Sequence, residues 1–361
     1  MKIVHVVGAH PNFMNVAPVI RALARRVGIT QVLVHTGQHY DANMSDIFFQ
    51  QLGLPESDIN LGVGSGSHAQ QTAQIIARFE PVVLEYKPDL ALVYGDVNST
   101  VAAALVCAKL GVRVGHVEAG LRSGDRTIPE EINRLVTDQI SDLLFTHSAD
   151  GNANLLREGV AEGKIHLVGN VMIDTLVRLL PAAEAQWHMG PWATWEGRPY
   201  MLVTLHRPSN VGEPLMLGRV LETVAEISRR LPVIFPAHPR TRECFDVETC
   251  KARHPAVHLT EPLGYLEFSG LQRHATVVVN DSGGIQEETT YLGVPCLTVR
   301  ENTERPVTVS SGTNVLVGQD MARLQAEVDR VLNGQARRGQ IPPLWDGYAG
   351  ERIASVLAGI S

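Results

Sequence analysis

Short apolar segments alternate with longer amphipathic segments along almost the whole chain, and this alternation most restricts the possible folds. Apolar runs such as IVHVV (3–7), QVLVHT (31–36) and DLALVYG (89–95) are each followed by a segment with helical spacing. Such alternation favours parallel strands with helices on both faces of the sheet. The sequence therefore predicts an α/β fold built on doubly wound parallel sheets.

The alternation breaks between about 183 and 199, where three tryptophans and two prolines occur without a period. A chain of 361 residues is too long for one simple core. We therefore predict a linker in this region, an N-terminal Rossmann-like domain at 1–175 and a second at 190–345. Two such domains leave a cleft between them, and ligands in doubly wound sheets bind outside the carboxyl ends of the strands.

Composition excludes several classes of function. The formal net charge is −7 without a basic block, so no nucleic-acid partner is predicted. No apolar run approaches a membrane span, and the N-terminus has no signal-like segment, so we expect a cytoplasmic protein without a membrane partner. The four cysteines form no CxxC pair and the fourteen histidines form no HExxH motif, so neither a metal nor a cofactor is predicted.

Polar residues, most of them ionisable, recur where the predicted strands end. In the first domain they follow four strands, at His10, Gln38–His39, Asp96 and Glu118. Two-residue alternation places His116 on the same face of its strand as Glu118. In the second domain the strand ends carry His206 and Arg207, His238 and Arg240, Asp281 and Ser282, and 300–305. Repetition at the same edge favours a binding or catalytic surface over ordinary solvated loops.

Two segments carry most of this chemistry. GHVEAGLRSGDRTIPEEINR (115–134) holds four carboxylates, and its Arg122 and Arg134 either belong to the site or form structural ion pairs with Asp125 and Glu131. In DSGGIQEE (281–288), a strand end, a glycine turn and a helix start follow one another. Such a turn can bind phosphate at the helix N-terminus, or can simply begin a helix.

Seven segments together resemble the non-hydrolysing UDP-N-acetylglucosamine 2-epimerases: GHVEAGLRSGDRTIPEEINR, GDVNST, GQHYDANMS, TLHRPSNV, AHPRTR, DSGGIQEET and RENTERPVTV. The resemblance covers nearly the whole chain in family order. It implies a glycosyltransferase-B-like fold, with an interdomain cleft between two Rossmann-like domains and a C-terminal helix (346–361) that crosses back to the first domain. It also implies a homodimer and a UDP-sugar substrate.

Reversible inversion at C2 of UDP-N-acetylglucosamine is the activity that this resemblance implies, by elimination and re-addition of UDP through 2-acetamidoglucal. Asp96, Glu118 and Glu130 then resemble the acid and base carboxylates, and His206 a partner of the departing diphosphate. Substrate-binding residues carried over by motif are His10, Arg207, His238, Phe268, Ser282, Gly283, Gly284, Glu288 and Arg305. Gln38 and His39 match a second site, where many bacterial members bind UDP-N-acetylglucosamine as activator.

His10 and Asn15 stand where the family usually has an arginine and a lysine, and the arginine usual in the next loop is missing from GVGSGSHAQQ. Losing fixed cations weakens diphosphate stabilisation or shifts substrate preference. Four alternatives stay open: an epimerase of UDP-2,3-diacetamido-glucuronic acid, which HTGQHYDANMS and FFQQLG also resemble, a hydrolysing epimerase, a glycosyltransferase on the same fold and, because of His10 and Asn15, a non-catalytic nucleotide-sugar-binding protein.

Overall fold

The computed structural model describes residues 1–38, 51–237 and 254–360. The chain divides into two compact units. The first comprises Met1–Arg178 together with Pro343–Ser361, and the second comprises Leu179–Pro342. Within the described ranges no helix has the length and apolar character needed to cross a membrane.

The sheet of the first unit is parallel throughout its described pairings. Its strands are β1 (Lys2–Val7), β2 (Thr30–His35), β3 (Ile59–Asn60), β4 (Leu90–Tyr94), β5 (Arg113–Ala119), β6 (Leu143–Thr146) and β7 (Ile165–Leu167). The order across the sheet is β3-β2-β1-β4-β5-β6-β7, so the direction of winding reverses between β1 and β4. Ligands of doubly wound sheets bind at such a reversal.

A second parallel sheet forms the centre of the second unit. Its strands are β8 (Met201–Thr204), β9 (Val233–Pro236), β10 (Val257–Thr260), β11 (Val277–Asn280), β12 (Cys296–Thr298) and β13 (Asn314–Leu316). The order β10-β9-β8-β11-β12-β13 reverses between β8 and β11. The prediction of two doubly wound α/β sheets is confirmed.

Helices cover both sheets. They are α1 (His10–Ala24), α2 (His68–Tyr86), α3 (Asn98–Lys109), α4 (Pro129–Ile140), α5 (Ala149–Arg157), α6 (Val171–Met189), α7 (Pro208–Val211), α8 (Pro214–Ser228), α9 (Tyr265–His274), α10 (Gly283–Leu292), α11 (Pro306–Ser310), α12 (Met321–Leu332) and α13 (Ala349–Gly359). Buried valines of β1, β2 and β4 pack against α2 and α3 on one face of the first sheet. On the opposite face Phe13 of α1 contacts His35, with ring centroids 5.3 Å apart. Continuous apolar strands are buried on both sides in this way.

The segment 183–199 is not the unpatterned linker that its tryptophans and prolines predicted. Helix α6 continues to Met189, and a 3₁₀ turn spans Pro191–Trp195. Ala183 and Trp187, one helical turn apart, are buried, and Trp187 stacks on Tyr200 with ring centroids 6.2 Å apart. Tertiary packing in the second unit therefore orders residues that looked like a connection.

The C-terminal helix packs against the first unit. The backbone N–H groups of Ala349 and Gly350 donate to the Asp174 carboxylate over 3.0 and 2.7 Å, which caps the start of α13. A Cβ atom on Gly350 would lie 2.8 Å from the carbonyl oxygen of Pro18 in α1. Close packing of α13 on α1 therefore requires glycine at this position.

Candidate active site

Three residues with left-handed backbone cluster where β4 and β5 end. Gly95 has φ 62°, Glu118 has φ 73° and Gly120 has φ 80°. The N–H of Gly95 donates to the Val117 carbonyl over 3.0 Å, which links the two strand ends. Left-handed backbone is costly for a residue with a Cβ atom, and such strain concentrates at functional sites. The left-handed backbone of Glu118 therefore makes it a candidate functional residue, independently of its side chain.

Asp96 follows β4 after the single residue Gly95, and its side chain remains 28% exposed. Its carboxylate forms an ion pair with Arg134 of α4, and its carbonyl oxygen accepts a hydrogen bond from the Asn133 amide at 2.8 Å. Arg134 also donates to Glu131 over 2.6 Å, which confirms the predicted pair between these two residues. Helix α4 thus fixes both the backbone and the side chain of Asp96.

The adjacent glutamates of the PEE segment differ in their surroundings. Glu131 is buried and accepts hydrogen bonds from the backbone N–H groups of Ser123 and Gly124, at 2.9 and 3.0 Å. Burial alone would raise the pKa of Glu131, but these hydrogen bonds and the Arg134 guanidinium lower it below its ordinary value. Glu130, in the same first turn of α4, is partly exposed. Glu130 is therefore the carboxylate of this pair that a ligand can reach.

Glu118 is held by the neighbouring helix α1. The Asn15 amide, itself buried, donates to the Glu118 carboxylate over 2.6 Å. The glycine loop before α1 is close-packed, because a Cβ atom on Gly8 would lie 1.9 Å from the Ser99 hydroxyl. Helix α1 begins at His10. Asn15, predicted to stand in place of a family lysine, thus contacts a candidate catalytic carboxylate.

His116 and Glu118 do not share a face of β5, contrary to the prediction from alternation. His116 contacts Asp138 of α4, whereas Glu118 contacts Asn15 of α1, on the other side of the sheet. The left-handed backbone of Glu118 and a register shift between Val117 and Ala119 interrupt the two-residue repeat. A bulge therefore redirects the carboxylate.

Arg122 does not pair with Asp125. Its guanidinium contacts Asp138 at 2.8 Å and Glu158 at 2.6 Å. Asp125 instead accepts hydrogen bonds from the backbone and the hydroxyl of Thr127, at 3.0 and 2.6 Å. Arg122 thus forms ion pairs, as the structural alternative predicted, but its partners are Asp138 and Glu158 rather than Asp125.

Gln38, predicted to contribute to a second ligand site, is buried. Its side-chain oxygen accepts hydrogen bonds from the Ser99 backbone N–H at 3.1 Å and the Ser99 hydroxyl at 2.8 Å. Gln38 therefore provides an acceptor for a backbone N–H group in the first turn of α3, which has no acceptor within the helix. His39, its predicted companion, lies outside the described residues.

In the second unit, His206 is oriented by a buried carboxylate. Asp281 at the end of β11 is fully buried, and the Nδ1–H of His206 donates to it over 2.9 Å, while the imidazole is 55% exposed. The backbone N–H of Arg207 and the Asn210 amide also donate to Asp281, at 2.9 and 3.0 Å. Burial would raise the pKa of Asp281, but these hydrogen bonds lower it. The arrangement leaves Nε2 of His206 available to a ligand.

The glycine turn of DSGG begins α10, as the sequence indicated. Ser282 precedes the helix without capping it by its side chain, and Gly283 and Gly284 form its first turn. A Cβ atom on Gly283 would lie 2.3 Å from Nη1 of Arg305. Arg305 itself is buried, donates to Glu287 over 2.7 Å and pairs with Glu304. Its charge is therefore balanced within the second unit.

Glu288 is buried in α10, and the Tyr265 hydroxyl donates to its carboxylate over 2.8 Å. Burial raises the pKa of Glu288 from 4.5 to about 7, although the Tyr265 hydrogen bond acts to lower it. Phe268, one turn after Tyr265 in α9, is partly buried against the core around Trp187. His238, the remaining predicted binding residue, lies outside the described ranges.

The described members of the predicted set fall into two groups, one in each unit, and Asp281 and Tyr265 contact members of the second group. Asp281 was visible as a residue at a strand end, but its role as the partner of His206, 75 positions away, was not. Tyr265 had no sequence signal beyond its place in a helix start.

Comparison with known proteins decides the family. The sequence model of the UDP-N-acetylglucosamine 2-epimerase family matches residues 21–358. The chain belongs to the UDP-N-acetylglucosamine 2-epimerase family. The match covers every carboxylate discussed above, while His10 and Asn15 of α1 precede it.

Two relatives and one solved structure show how close this family membership is. A UDP-N-acetylglucosamine 2-epimerase of Methanococcus maripaludis is 40% identical over 99% of this chain and 98% of its own. The UDP-2,3-diacetamido-2,3-dideoxy-D-glucuronate 2-epimerase of Pseudomonas aeruginosa is also 40% identical, over 99% of both chains. The crystal structure of the Methanocaldococcus jannaschii UDP-GlcNAc 2-epimerase with UDP-GlcNAc and UDP has a TM-score of 0.90 and 41% identity, covering 99% of this chain and 100% of that one. The chain is an epimerase by family.

Proposed function

We propose that the chain catalyses reversible C2 epimerisation of UDP-N-acetylglucosamine to UDP-N-acetylmannosamine, by elimination and re-addition of UDP through 2-acetamidoglucal. The observation that carries the proposal is the set of carboxylates at the ends of β4 and β5 and at the start of α4. Asp96 and Glu130 are partly exposed, and Glu118 is held in left-handed backbone. The solved relative with UDP-GlcNAc and UDP supports the same substrate class.

In the forward half of the reaction, one carboxylate removes the C2 proton while the C1–O bond to UDP breaks, which leaves a double bond between C1 and C2. In the return half, a carboxyl group donates a proton to the opposite face of C2, and a diphosphate oxygen forms the C1–O bond again. Proton transfer on the two opposite faces of C2 requires more than one acid–base group. Asp96, Glu118 and Glu130 supply these groups in this proposal. The steps are redox-neutral, so the reaction consumes no oxidant or reductant.

The second unit supplies the groups for the nucleotide in this proposal. Backbone N–H groups at the start of α10, beside Gly283 and Gly284, attract the diphosphate. His206, whose Nδ1 is held by Asp281, directs Nε2 to the leaving diphosphate. Glu288 accepts hydrogen bonds from ribose hydroxyls, and Phe268 contacts the uracil.

Epimerisation of UDP-2,3-diacetamido-glucuronic acid is the second candidate, because the Pseudomonas relative with that activity is as similar as the Methanococcus one. The purified chain should be given each sugar nucleotide separately, with products identified by NMR. UDP-N-acetylmannosamine from UDP-N-acetylglucosamine supports the first proposal. Turnover of the uronate alone would overturn it, and free N-acetylmannosamine would indicate a hydrolysing enzyme.

The homodimer, the cytoplasmic location and the second ligand site at Gln38 and His39 stay predictions. Sedimentation equilibrium tests the first. The third is tested by the dependence of the initial rate on UDP-N-acetylglucosamine concentration, which becomes sigmoidal when a second molecule activates.

A further inference from the structure

A buried histidine that the proposed chemistry does not use connects the elements that carry the three carboxylates. His116 of β5 is fully buried, and both of its ring nitrogens are hydrogen-bonded. Nδ1 lies 2.6 Å from Asp138 of α4, and Nε2 lies 2.8 Å from the carbonyl oxygen of Gly95, the residue before Asp96. One side chain therefore joins the end of β4, the strand of Glu118 and the helix of Glu130.

The partners of His116 determine its protonation. A carbonyl oxygen has no hydrogen, so Nε2 must donate to Gly95. The other oxygen of Asp138 accepts from the Gly120 N–H at 3.1 Å and pairs with Arg122 at 2.8 Å, so this carboxylate is surrounded by donors. Burial would raise the pKa of Asp138, but His116 and Arg122 lower it. With Asp138 ionised, Nδ1 also donates, and the ring carries both protons.

The same pair fixes the backbone on both sides of Glu118. Before Glu118, the Val117 carbonyl accepts a hydrogen bond from the Gly95 N–H, and the Gly95 carbonyl accepts one from His116. After it, the N–H of Gly120 is bonded to Asp138. A left-handed non-glycine residue persists only where its surroundings over-determine it. His116 and Asp138 provide that constraint for Glu118.

We infer that the His116–Asp138 pair is a buried imidazolium–carboxylate positioning device that holds Glu118 and the Asp96 peptide in their reactive arrangement. His116 and Asp138 are positioning residues, because they act through the backbone of Gly95 and Gly120. The inference rests on the proposed function for its kinetic consequence, but not for the protonation state. Arg122, in turn paired with Glu158, completes a network of alternating charges.

The charge is tested by NMR on the full-length protein labelled with ¹⁵N-histidine, without any ligand. The signals of His116 are assigned by their loss in His116→Gln. We expect both ring nitrogens of His116 at the chemical shifts of protonated nitrogens, because each of them faces an acceptor oxygen. In Asp138→Asn the same ring should become neutral. A neutral imidazole in the wild type would overturn the inference, whatever the enzyme turns over.

The positioning role is tested by kinetics with a matched control. His5 of β1 is also fully buried in the same unit, with Nδ1 2.7 Å from the Tyr94 hydroxyl and Nε2 2.9 Å from Gln31. We expect His116→Gln to lower kcat about 100-fold with KM changed less than about threefold, because a misplacement of about 1 Å can cost that much. His5→Gln should leave kcat unchanged.

Equal kcat for the His116 and His5 variants would show that His116 is only a structural core residue, and would refute the positioning role. A loss confined to KM would do the same. If the wild type itself does not exchange the C2 hydrogen of UDP-N-acetylglucosamine, the proposed function fails. The ¹⁵N spectrum then still decides the protonation, and the amide signals of Gly95 and Gly120 in His116→Gln decide whether the backbone depends on the pair.

Discussion

Replacing Glu288 by glutamine should stabilise the protein while weakening nucleotide binding. Burial raises the pKa of Glu288 from 4.5 to about 7, so above neutral pH the folded protein must hold a poorly solvated carboxylate. A folded-state pKa above the unfolded value means that stability is lost as pH rises from 4.5 through about 7. At about 1.4 kcal/mol per pH unit, the loss is about 1 kcal/mol at pH 5 and about 3 kcal/mol at pH 8.

Glutamine cannot ionise and nearly preserves the shape, so Glu288→Gln should regain about 3 kcal/mol at pH 8 but only about 1 kcal/mol at pH 5. Denaturant unfolding at both pH values measures this, and calorimetry with UDP measures binding. Because glutamine offers one acceptor oxygen instead of two to ribose hydroxyls, UDP affinity should fall about tenfold. A residue that costs stability but improves binding is typical of a functional site.

Glu287→Gln is the matched control for this prediction. Glu287 is buried next to Glu288, but its carboxylate is paired with Arg305 at 2.7 Å. Removing a charge from a buried pair is destabilising, so this variant should be less stable at both pH values. The account of Glu288 would be refuted by a Glu288→Gln variant that is less stable than wild type at pH 8. Undiminished UDP affinity would refute the ribose role.

Three further variants test the roles of Asn15 and His206 and the packing of α13. Asn15→Lys places an ammonium group beside the Glu118 carboxylate and should move the acid limb of the pH profile of kcat/KM to lower pH. An unchanged profile would show that the two side chains do not interact in the working enzyme. Asp281→Asn removes the carboxylate that orients His206 and should lower kcat about 100-fold in steady-state assays, whereas near-wild-type kcat would exclude His206 from the reaction. Gly350→Ala places a methyl group 2.8 Å from a backbone oxygen of α1 and should lower the free energy of unfolding by about 2 kcal/mol in urea titrations, whereas equal stability would refute the close packing of α13.

The local sequence pattern was sufficient to predict the two sheets, because parallel strands that are buried on both faces have continuous apolar sequences, which alternate with helical segments. It failed for 183–189, where Trp187 is ordered by contact with Tyr200 of another segment. It also failed at Glu118, because alternation assumes regular strand geometry and a left-handed residue ends it.

The sequence predicted the candidate site only to the extent that residue types and the positions of strand ends indicate functional residues. The rule that ligands bind at the carboxyl ends of strands indicated Asp96, Glu118 and His206. Predicting these positions does not require knowing their distant partners. Arg122 pairs with Asp138 and with Glu158, which is 36 residues away, and such pairs are set by the fold rather than by spacing. Likewise, only packing separates a buried structural glutamate at 131 from an accessible one at 130.

Hydrogen exchange at C2 of the sugar is the most direct test of the proposed epimerisation. The wild-type protein is incubated with UDP-N-acetylglucosamine in D₂O and followed by proton NMR. We predict deuterium at C2 together with signals of UDP-N-acetylmannosamine, and loss of both in Glu118→Gln. UDP-N-acetylmannosamine that retains its C2 proton, or bound substrate that never exchanges, would contradict it.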